Sequence, residues 1–168
     1  MELRLSEIRD IENIIKIINK GKEKLKNENI DQWQGEYPNK DVIMEDIEKG
    51  YSYVLELDGE IIGTAAVSLD GEETYNKIYE GKWISEEPYG VVHRFCVNLD
   101  LKLERKGSKL FNKIEELLVT KGIKSIKIDT HEENKSMRKT LLNNGFIYCG
   151  IIYVNNGEKR VAYEKIIS

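Results

Sequence analysis

The sequence has few cysteines, histidines and prolines, and it has no long apolar segment. Its two cysteines, Cys96 and Cys149, lie far apart within apolar runs. We therefore expect both to be reduced core residues, with neither a disulfide framework nor a Cys-x-x-Cys metal site. The two histidines, His93 and His131, are also distant in sequence, which argues against a metal centre.

No apolar run approaches the roughly 20 residues needed to span a bilayer. The N-terminal MELRLSEIRD is too polar and acidic for a signal peptide, so we predict a metal-free, cytoplasmic protein without a membrane partner.

The charge balance excludes another class of protein. Acidic residues number 30 and basic residues 26, which gives a formal net charge of −4. A general nucleic-acid binder has a broadly basic surface, so no nucleic-acid partner is expected. Hydrophobic residues make up 40% of the 168, which excludes a disordered chain and is enough for one core. No repeat, linker or low-complexity segment interrupts the sequence, and we predict a single domain over residues 1–168.

Hydrophobic periodicity and turn residues predict alternating strands and helices. The first part of the chain is predicted to contain a strand at 2–5, a helix that opens near Ser6, a solvated helix end or loop over the charged GKEKLKNEN, a helix at 39–49 with Asn39 or Asp41 as its cap, and a hairpin at 51–69 around Asp58–Gly59. An irregular excursion at 70–90 follows. The remaining predicted elements are a strand from 91, a helix from 108, a buried strand at 123–131, a helix from Asn134, and a second hairpin around 155–158. The strand–helix–strand order from 91 to 131 implies a parallel pair joined by a crossover helix. The predicted class is α/β, with a mixed sheet.

The stretch from Val91 to Glu116 carries the clearest chemical signal. The strand-like VVHRFCV and an amphipathic helix flank a short charged turn. The turn contains Lys102, Arg105, Lys106, Gly107, Ser108 and Lys109. A helix N-terminus has unpaired N–H groups and partial positive charge, so a cluster of cations there is electrostatically unfavourable. A bound anion would remove the conflict. The alternatives are a solvated turn, and for Ser108 a simple helix cap.

Strand, cationic glycine turn and amphipathic helix together resemble the acyl-CoA-binding core of the GNAT superfamily of N-acetyltransferases. The family pattern is Gln/Arg-x-x-Gly-x-Gly/Ala, and aligning Gly107 with the last glycine places Lys102 first and Arg105 at the middle glycine. The resemblance implies acetyl-CoA as co-substrate, with the turn holding its diphosphate. Arg105 then either adds charge to the turn or crowds it. The order of elements matches the family along nearly the whole chain, which implies a GNAT-like acyl-CoA N-acyltransferase fold: a central mixed β-sheet flanked by about four helices.

A second segment, 134–146, resembles the family's N-x-x-A-x-x-L-Y-x-x-x-G-F pattern. The resemblance implies that Asn134 binds the pantetheine arm of the cofactor. It also implies that backbone N–H groups of the fourth strand, at Phe95, Cys96 and Val97, bind the thioester. The family's frequent tyrosine acid falls at Leu141 here, and its glutamate base falls near Val91. Neither role carries over. The segments DQWQGEYP, IYEGKW, HRFCV and DTHEEN are similar to an uncharacterised bacterial subgroup of the family.

Other residues must then supply the catalytic groups. His93 lies two residues after Val91, so strand alternation keeps it on the face where the family's glutamate lies. His131 lies at the end of the next predicted strand, where the resemblance places it near the same cleft. Histidine is a natural general base near neutral pH, although a structural histidine is the alternative for each. Glu87, with Glu86, is the acidic alternative, either as a base or as a clamp for a cationic substrate, or it is merely solvated.

Five aromatic residues from two loops are candidates for an acceptor pocket, although the same side chains could close the core edge. They are Trp33, Tyr37, Tyr79, Trp83 and Tyr89. We expect an N-acetyltransferase that transfers acetyl directly from acetyl-CoA to an amine of a small molecule or a peptide. The alternative is a non-catalytic acyl-CoA-binding, sensing or interaction domain. A phosphate-binding module of other chemistry is disfavoured because GxxxxGK[ST] is absent. The edge of the terminal hairpin could pair two subunits as a homodimer.

Overall fold

The helices and strands appear in the order that the sequence predicts. The computed structural model describes all residues, 1–168. The strands are β1 (Glu2–Leu5), β2 (Ser52–Leu57), β3 (Glu60–Ser68), β4 (Tyr89–Val97), β5 (Ser125–Thr130), β6 (Ile147–Tyr153) and β7 (Lys159–Ile166). The helices are α1 (Ile11–Asn27), α2 (Lys40–Glu48), α3 (Lys106–Thr120) and α4 (Lys135–Asn143), with 3-10 turns at Ile8–Asp10 and Glu73–Tyr75. None of the helices is long and apolar enough to cross a membrane.

The strands form one mixed sheet. Hydrogen bonds join them in the order β1-β2-β3-β4-β5-β7-β6. Strands β4 and β5 run parallel, as the crossover through α3 predicts, whereas β1–β2, β2–β3, β5–β7 and β6–β7 are antiparallel. A seven-stranded mixed sheet with four helices confirms the predicted α/β class. The chain divides into two units, which are described in turn: unit one contains residues 1–67 and 94–114, and unit two contains 68–93 and 115–168.

Unit one has a core between its strands and helices α1 and α2. The buried cluster consists of Ile14, Ile17, Ile18, Ile43, Val54, Ile61 and Cys96. Of the two alternatives expected for GKEKLKNEN, a solvated helix end or a loop, the structure has the helix end, because α1 continues to Asn27; the segment is not wholly solvated, since Leu25 is buried. Gly21 lies inside this helix, where a Cβ atom would come within 2.8 Å of Cys96 Sγ. The glycine therefore serves close helix–strand packing rather than ending the helix.

Different side chains stabilise the N-terminal turns of α1 and α2 in unit one. Asn39 caps α2 as predicted, since its side chain accepts a hydrogen bond from Val42 N at 3.1 Å. Ser6, expected to open the first helix, instead bonds to the Ser52 hydroxyl at 2.8 Å. Asp10 provides the first turn's side-chain acceptor, taking a hydrogen bond from Glu7 N at 2.7 Å. A carboxylate at this position stabilises the N-terminal turn as a hydroxyl would.

The first hairpin confirms its turn signal. Asp58 has φ 51° and Gly59 has φ 83°, the pair of positive values that a two-residue type I′ turn needs. Strand β2 pairs with β3 from Ser52–Ala66 to Leu57–Glu60, with one irregularity between Leu55 and Glu56. The two-residue turn fixes which residues of β2 and β3 pair with each other. A shift of the pairing by one residue would move every side chain to the opposite face of the sheet.

In unit two, one face of the sheet is apolar and the other contains charged residues. On β5, Ile126 and Ile128 alternate with Ser125, Lys127 and Asp129. The polar face is covered by residues 69–88, here called the cover segment, which has no regular structure beyond one 3-10 turn. Its Tyr75, which is 2% exposed, packs with buried apolar residues of the sheet, namely Val91, Ile152 and Ala162. Charged side chains of β5 are therefore enclosed rather than solvated.

The cover segment also pairs with the edge of the terminal hairpin. Tyr79 and Ile151 exchange two backbone hydrogen bonds, both 2.8 Å long. A Cβ atom on Gly81 would lie 1.9 Å from Cys149 O, so only glycine allows this close approach. Strand β6 also has a register shift between Tyr148 and Gly150. The middle of the edge that we expected to be open for a second subunit is thus occupied by the chain itself.

Candidate active site

Strand β4 changes its course near the middle of its length. It pairs with β5 only over Tyr89–Val91, opposite Ser125–Lys127. His93 follows two residues later, and strand alternation places it on the same face as Val91. The next residue, Arg94, has φ 49°, a left-handed conformation that is uncommon for a residue with a side chain. The residues that follow Arg94, namely Phe95, Cys96 and Val97, remain within β4.

His93 lies beside a carboxylate that sequence reasoning missed. Its Nε2 atom is 3.7 Å from Glu72 Oε2, which is within ion-pair range but longer than a hydrogen bond. The other oxygen, Glu72 Oε1, accepts a hydrogen bond from Thr74 Oγ1 at 2.8 Å. Glu72 N also donates to the Tyr89 hydroxyl at 3.4 Å. Thr74 and Tyr89 therefore hold Glu72 with its second oxygen directed toward the imidazole.

A second carboxylate, Asp129, is half-buried on the same face and was also missed. Tyr75 donates its hydroxyl hydrogen to Asp129 Oδ2 at 2.6 Å. Burial raises the pKa of Asp129, while the Tyr75 hydrogen bond and the His93 charge act in the opposite direction. Burial and the Asp129 charge raise the pKa of Tyr75 well above its ordinary value, so the phenol remains the donor. The Tyr75 and His93 ring centroids are 6.4 Å apart.

A sequence signal for Asp129 did exist. The stretch SIKID alternates polar and apolar residues, which indicates a strand with one polar face. The prediction of a buried strand over 123–131 does not account for these polar side chains. Local periodicity could not show that the cover segment lies over that face, because Tyr75 and Asp129 are 54 residues apart. A long irregular segment within a domain is, however, often functional.

The other predicted catalytic residues make different contacts. His131 lies just after β5, where its Nδ1 accepts a hydrogen bond from Glu133 N at 3.1 Å. Glu87 is exposed near the end of the cover segment. Asn134 begins α4 as predicted, and its side-chain oxygen accepts from Met137 N at 3.1 Å.

The helix that follows the cationic turn begins at Lys106, two residues earlier than predicted. Helix α3 begins at Lys106 and has no acidic residue in its first turn, so Ser108 lies inside the helix and is not its cap. Arg105, just before the helix, has φ 56° and occupies the position where the family pattern has a glycine. Lys102 and Arg105 are exposed, whereas Lys109 is half-buried. Two exposed cations, with the exposed Glu104 between them in sequence, thus precede a helix whose first turn has no acidic residue.

Lys106 is held by the loop that precedes α3. Its Nζ donates to Asn98 O at 2.5 Å and to Leu101 O at 2.6 Å. Partial burial lowers its pKa. Because two of its three hydrogens are used by the chain, Lys106 fixes the shape of the turn, and Gly107 follows it in the first turn of α3.

The aromatic residues of unit two lie in two separate places. Trp83 and Tyr89 flank the Lys127 ammonium group, which is 4.5 and 4.1 Å from their ring centroids. Trp83 Nε1 also donates to Tyr75 O at 2.9 Å. Tyr79 instead packs edge-on against Tyr153, with ring centroids 5.2 Å apart. Trp83 and Tyr89 therefore belong to the covered face, whereas Tyr79 belongs to the edge of the terminal hairpin.

In unit one, Trp33 and Tyr37 each have a structural contact. Trp33 packs against the core cluster beside α1. The Tyr37 hydroxyl accepts a hydrogen bond from Arg94 Nη1 at 2.8 Å. Tyr37 is 48% exposed, so its ring also faces solvent. The acceptor-pocket role of these aromatics stays a prediction.

Glu164 fixes the cover segment at a further point. This fully buried carboxylate accepts hydrogen bonds from Ile84 N at 2.6 Å, Ser85 Oγ at 2.8 Å and Ser125 Oγ at 2.7 Å. Its strand partner in the β5–β7 register is Lys127. A buried carboxylate needs such partners to offset the loss of water. The segment that contains Glu72 and Tyr75 is therefore anchored along its length.

Comparisons with known proteins agree with the fold. The family model described as the Acetyltransferase (GNAT) family matches residues 21–146. A GNAT-family acetyltransferase structure from Streptococcus agalactiae has 32% identity and a TM-score of 0.90, covering 99% of this chain and 95% of that chain. A search of curated protein sequences finds no match.

More distant structures share the fold alone. A GNAT-family acetyltransferase from Listeria monocytogenes is 20% identical, with a TM-score of 0.74 and coverage of 99% of this chain and 94% of that one. A ribosomal-protein-alanine N-acetyltransferase from Brucella melitensis is 14% identical, with a TM-score of 0.69 and coverage of 99% and 100%. The family match over most of the chain, together with the similarity to the streptococcal protein, shows that this chain belongs to the GNAT family of acetyltransferases.

Proposed function

We propose that the protein transfers an acetyl group directly from acetyl-CoA to a primary amine of a small molecule or a peptide, with His93 as the general base. The observation that most directly supports this proposal is the position of His93. It lies beside Glu72 and immediately before Arg94, whose backbone conformation is left-handed. The proposed base and the backbone N–H groups of Phe95, Cys96 and Val97 thus follow one another along β4. Acetyl transfer needs both, one for the amine proton and the other for the oxyanion.

The reaction assigns a task to each group. His93 accepts a proton from the substrate ammonium group, which makes the nitrogen nucleophilic. The amine nitrogen attacks the thioester carbonyl, the C–N bond forms, and the C–S bond breaks. N–H groups of Phe95, Cys96 and Val97 are proposed to stabilise the oxyanion. The CoA thiolate leaves and takes up a proton, so that one proton is released overall for each acetyl group transferred.

The cofactor-binding residues are proposed from the resemblance and supported by the charge of the turn. The N-terminal turn of α3, with Gly107 and Ser108, would hold the diphosphate through backbone N–H groups. Lys102, Arg105 and Lys109 would supply the surrounding positive charge, and Lys106 would shape the loop. Asn134 would bind the pantetheine arm.

A second candidate function is a non-catalytic acyl-CoA-binding domain. One observation favours it: Leu141, at the family's tyrosine position, is fully buried and has no proton to donate. The two free cysteines support the expected reducing, cytoplasmic location, which both candidates share.

The test begins with calorimetry of the purified protein and acetyl-CoA, followed by thiol release with a panel of primary amines. We expect saturable binding in the micromolar range and CoA release with at least one amine. His93→Gln should lower turnover roughly a hundredfold without weakening acetyl-CoA binding. Binding without thiol release for any amine would favour the non-catalytic candidate. No binding up to millimolar acetyl-CoA would contradict both.

A further inference from the structure

Three side chains of unit two converge on His93 from two directions. Glu72 and Tyr75 come from the cover segment, and Asp129 comes from β5. Val91 pairs with Lys127 in the parallel register, and His93 and Asp129 each lie two residues further along their strands. Alternation therefore places both on the covered face. Tyr75 lies between them, with its hydroxyl on Asp129 and its ring beside the imidazole.

The two carboxylates, of Glu72 and Asp129, interact with the His93 imidazole in different ways. Glu72 is its direct partner, 3.7 Å from Nε2 and fixed by Thr74. Asp129 acts at longer range and interacts electrostatically with His93. Because Asp129 is half-buried, water screens its charge less than it would at the surface. Both negative charges favour the protonated imidazole over the neutral one.

We propose that Glu72, Asp129 and Tyr75 are positioning residues that hold His93 in one orientation and increase its affinity for the substrate proton. The inference rests on the proposed role of His93 as base and deepens it. Glu72 stabilises the imidazolium ion that forms. Tyr75 keeps Asp129 in place by its hydrogen bond and limits rotation of the imidazole by ring contact.

Other charged and titratable groups near His93 also affect the charge of this cluster. Arg160 on β7 interacts with Asp129 and favours its ionised form. The Arg160 guanidinium also forms an ion pair with Glu158 at 2.8 Å, which offsets its charge. The Tyr89 phenol, on β4, accepts from Glu72 N. Two carboxylates thus face His93, and the nearby cation has a carboxylate partner of its own.

The experiment measures the titration of His93 itself. The chain has two histidines, so imidazole carbon-bound proton signals in NMR give two titration curves, and the His93→Gln variant identifies one of them. The test variants are Glu72→Gln, Asp129→Asn and Tyr75→Phe. Glu73→Gln is the matched control, because Glu73 is adjacent to Glu72 but exposed. A pH profile of kcat/KM for each variant gives a second readout.

We expect the midpoint of His93 protonation to fall by about one pH unit in Glu72→Gln and in Asp129→Asn. Tyr75→Phe should give a smaller fall, because Asp129 then loses the hydrogen bond that favours its charged form. Glu73→Gln should leave the midpoint unchanged. The acid limb of the kcat/KM profile should shift to lower pH together with the midpoint of His93 protonation. The plateau value of kcat/KM should fall by roughly threefold to tenfold, since a weaker base accepts a proton less readily.

The outcomes separate this inference from the proposed function. An unchanged His93 midpoint in Glu72→Gln and Asp129→Asn would overturn the inference even if the protein is an active transferase. A shifted midpoint in a protein that binds acetyl-CoA but releases no thiol would instead overturn His93 as a catalytic base and leave the electrostatic coupling in place. If Asp129→Asn does not fold, Tyr75→Phe decides the role of Asp129, because it removes only a hydroxyl group.

Discussion

Arg94 and Asp46 form a two-point ion pair within unit one, with Nε to Oδ2 at 2.6 Å and Nη2 to Oδ1 at 2.7 Å. Asp46 is 5% exposed. The pair connects α2 to the left-handed residue of β4, the residue directly after His93. A bidentate arrangement fixes the guanidinium in orientation as well as in position. It therefore stabilises an otherwise unfavourable backbone conformation at the proposed oxyanion-binding residues.

The first prediction concerns this ion pair. Asp46→Asn should lower the free energy of unfolding by about 3 kcal/mol, because it leaves a mostly buried guanidinium without its carboxylate. Urea denaturation of both proteins measures the difference. The matched control is Glu48→Gln, an exposed change on the same helix, which should stay within about 0.5 kcal/mol of the parent. Equal losses in the two variants would show that the pair contributes nothing to stability.

Arg105 gives a prediction in which stability and binding change in opposite directions. Its φ of 56° is costly for a residue with a Cβ atom, by about 1 kcal/mol, and glycine avoids this cost. Arg105→Gly should therefore raise the free energy of unfolding by up to about 1 kcal/mol. It should also weaken acetyl-CoA binding roughly tenfold, through loss of a cation beside the diphosphate.

Calorimetry and urea denaturation of the same preparation test the Arg105 prediction. Lys121→Gln, just beyond the opposite end of α3, removes one positive charge and is the control for net charge. If Arg105→Gly binds acetyl-CoA more tightly than the parent, the arginine crowds the turn and does not support the cofactor.

Much of the fold could be predicted because its signals are local. Asn39 and Asn134 cap the helices that they were expected to start, and Asp58–Gly59 forms the expected turn. The errors occur where distant parts of the chain decide the structure. Gly21 is tolerated inside α1 because Cys96, far away in sequence, approaches it. The start of α3 at Lys106 escaped prediction for another reason: the lysine side chain bonds to carbonyl groups of the loop just before the helix, a contact that no helical period indicates.

The candidate site divides in the same way. His93 could be selected from strand alternation and from the chemistry of imidazole. Glu72 and Asp129 could not, because their roles depend on the fold of an irregular segment over the sheet. The alternating pattern of β5 indicates a polar face but not what covers it. Buried charged residues that break no local pattern are visible only once the tertiary structure is known.

The loop before α3 makes a prediction about Lys106. Lys106→Met should lower the free energy of unfolding by about 2 kcal/mol, because two carbonyl groups, of Asn98 and Leu101, lose their charged donor. Lys102→Met, in the same loop but exposed, should cost less than about 0.5 kcal/mol. Thermal or urea denaturation gives both values. Comparable effects of the two changes would mean that Lys106 does not fix the loop.

Asp10 gives a prediction for the pH dependence of stability. Its two oxygens accept hydrogen bonds from Arg4 Nη1 at 2.8 Å and Nη2 at 2.9 Å, and the hydrogen bond from Arg4 is the main cause that lowers the pKa of Asp10. A carboxylate whose pKa is lowered on folding stabilises the folded state above its unfolded pKa, near 4, and loses that contribution as the pH falls through the folded value.

Asp10→Asn should therefore destabilise the protein by about 2 kcal/mol at pH 7, and the difference should shrink as the pH falls below about 4. Urea denaturation at pH 7 and pH 3 measures both differences. Asp31→Asn, on an exposed loop, is the control and should have little effect at either pH. A loss that is equally large at pH 3 would show that the effect does not depend on the Asp10 charge.

The last prediction concerns the two cysteines and bears on the thiol-release assay itself. Burial raises the pKa of Cys96 to about 12 and that of Cys149 to about 11. Because the thiolate is the reactive form, neither should react with Ellman's reagent at pH 8 in the folded protein. Two equivalents should react after unfolding in urea. Rapid reaction of one equivalent in the folded protein, removed by Cys149→Ser, would show that the edge around Gly81 opens readily. Any thiol detected with folded protein and acetyl-CoA should otherwise come from released CoA.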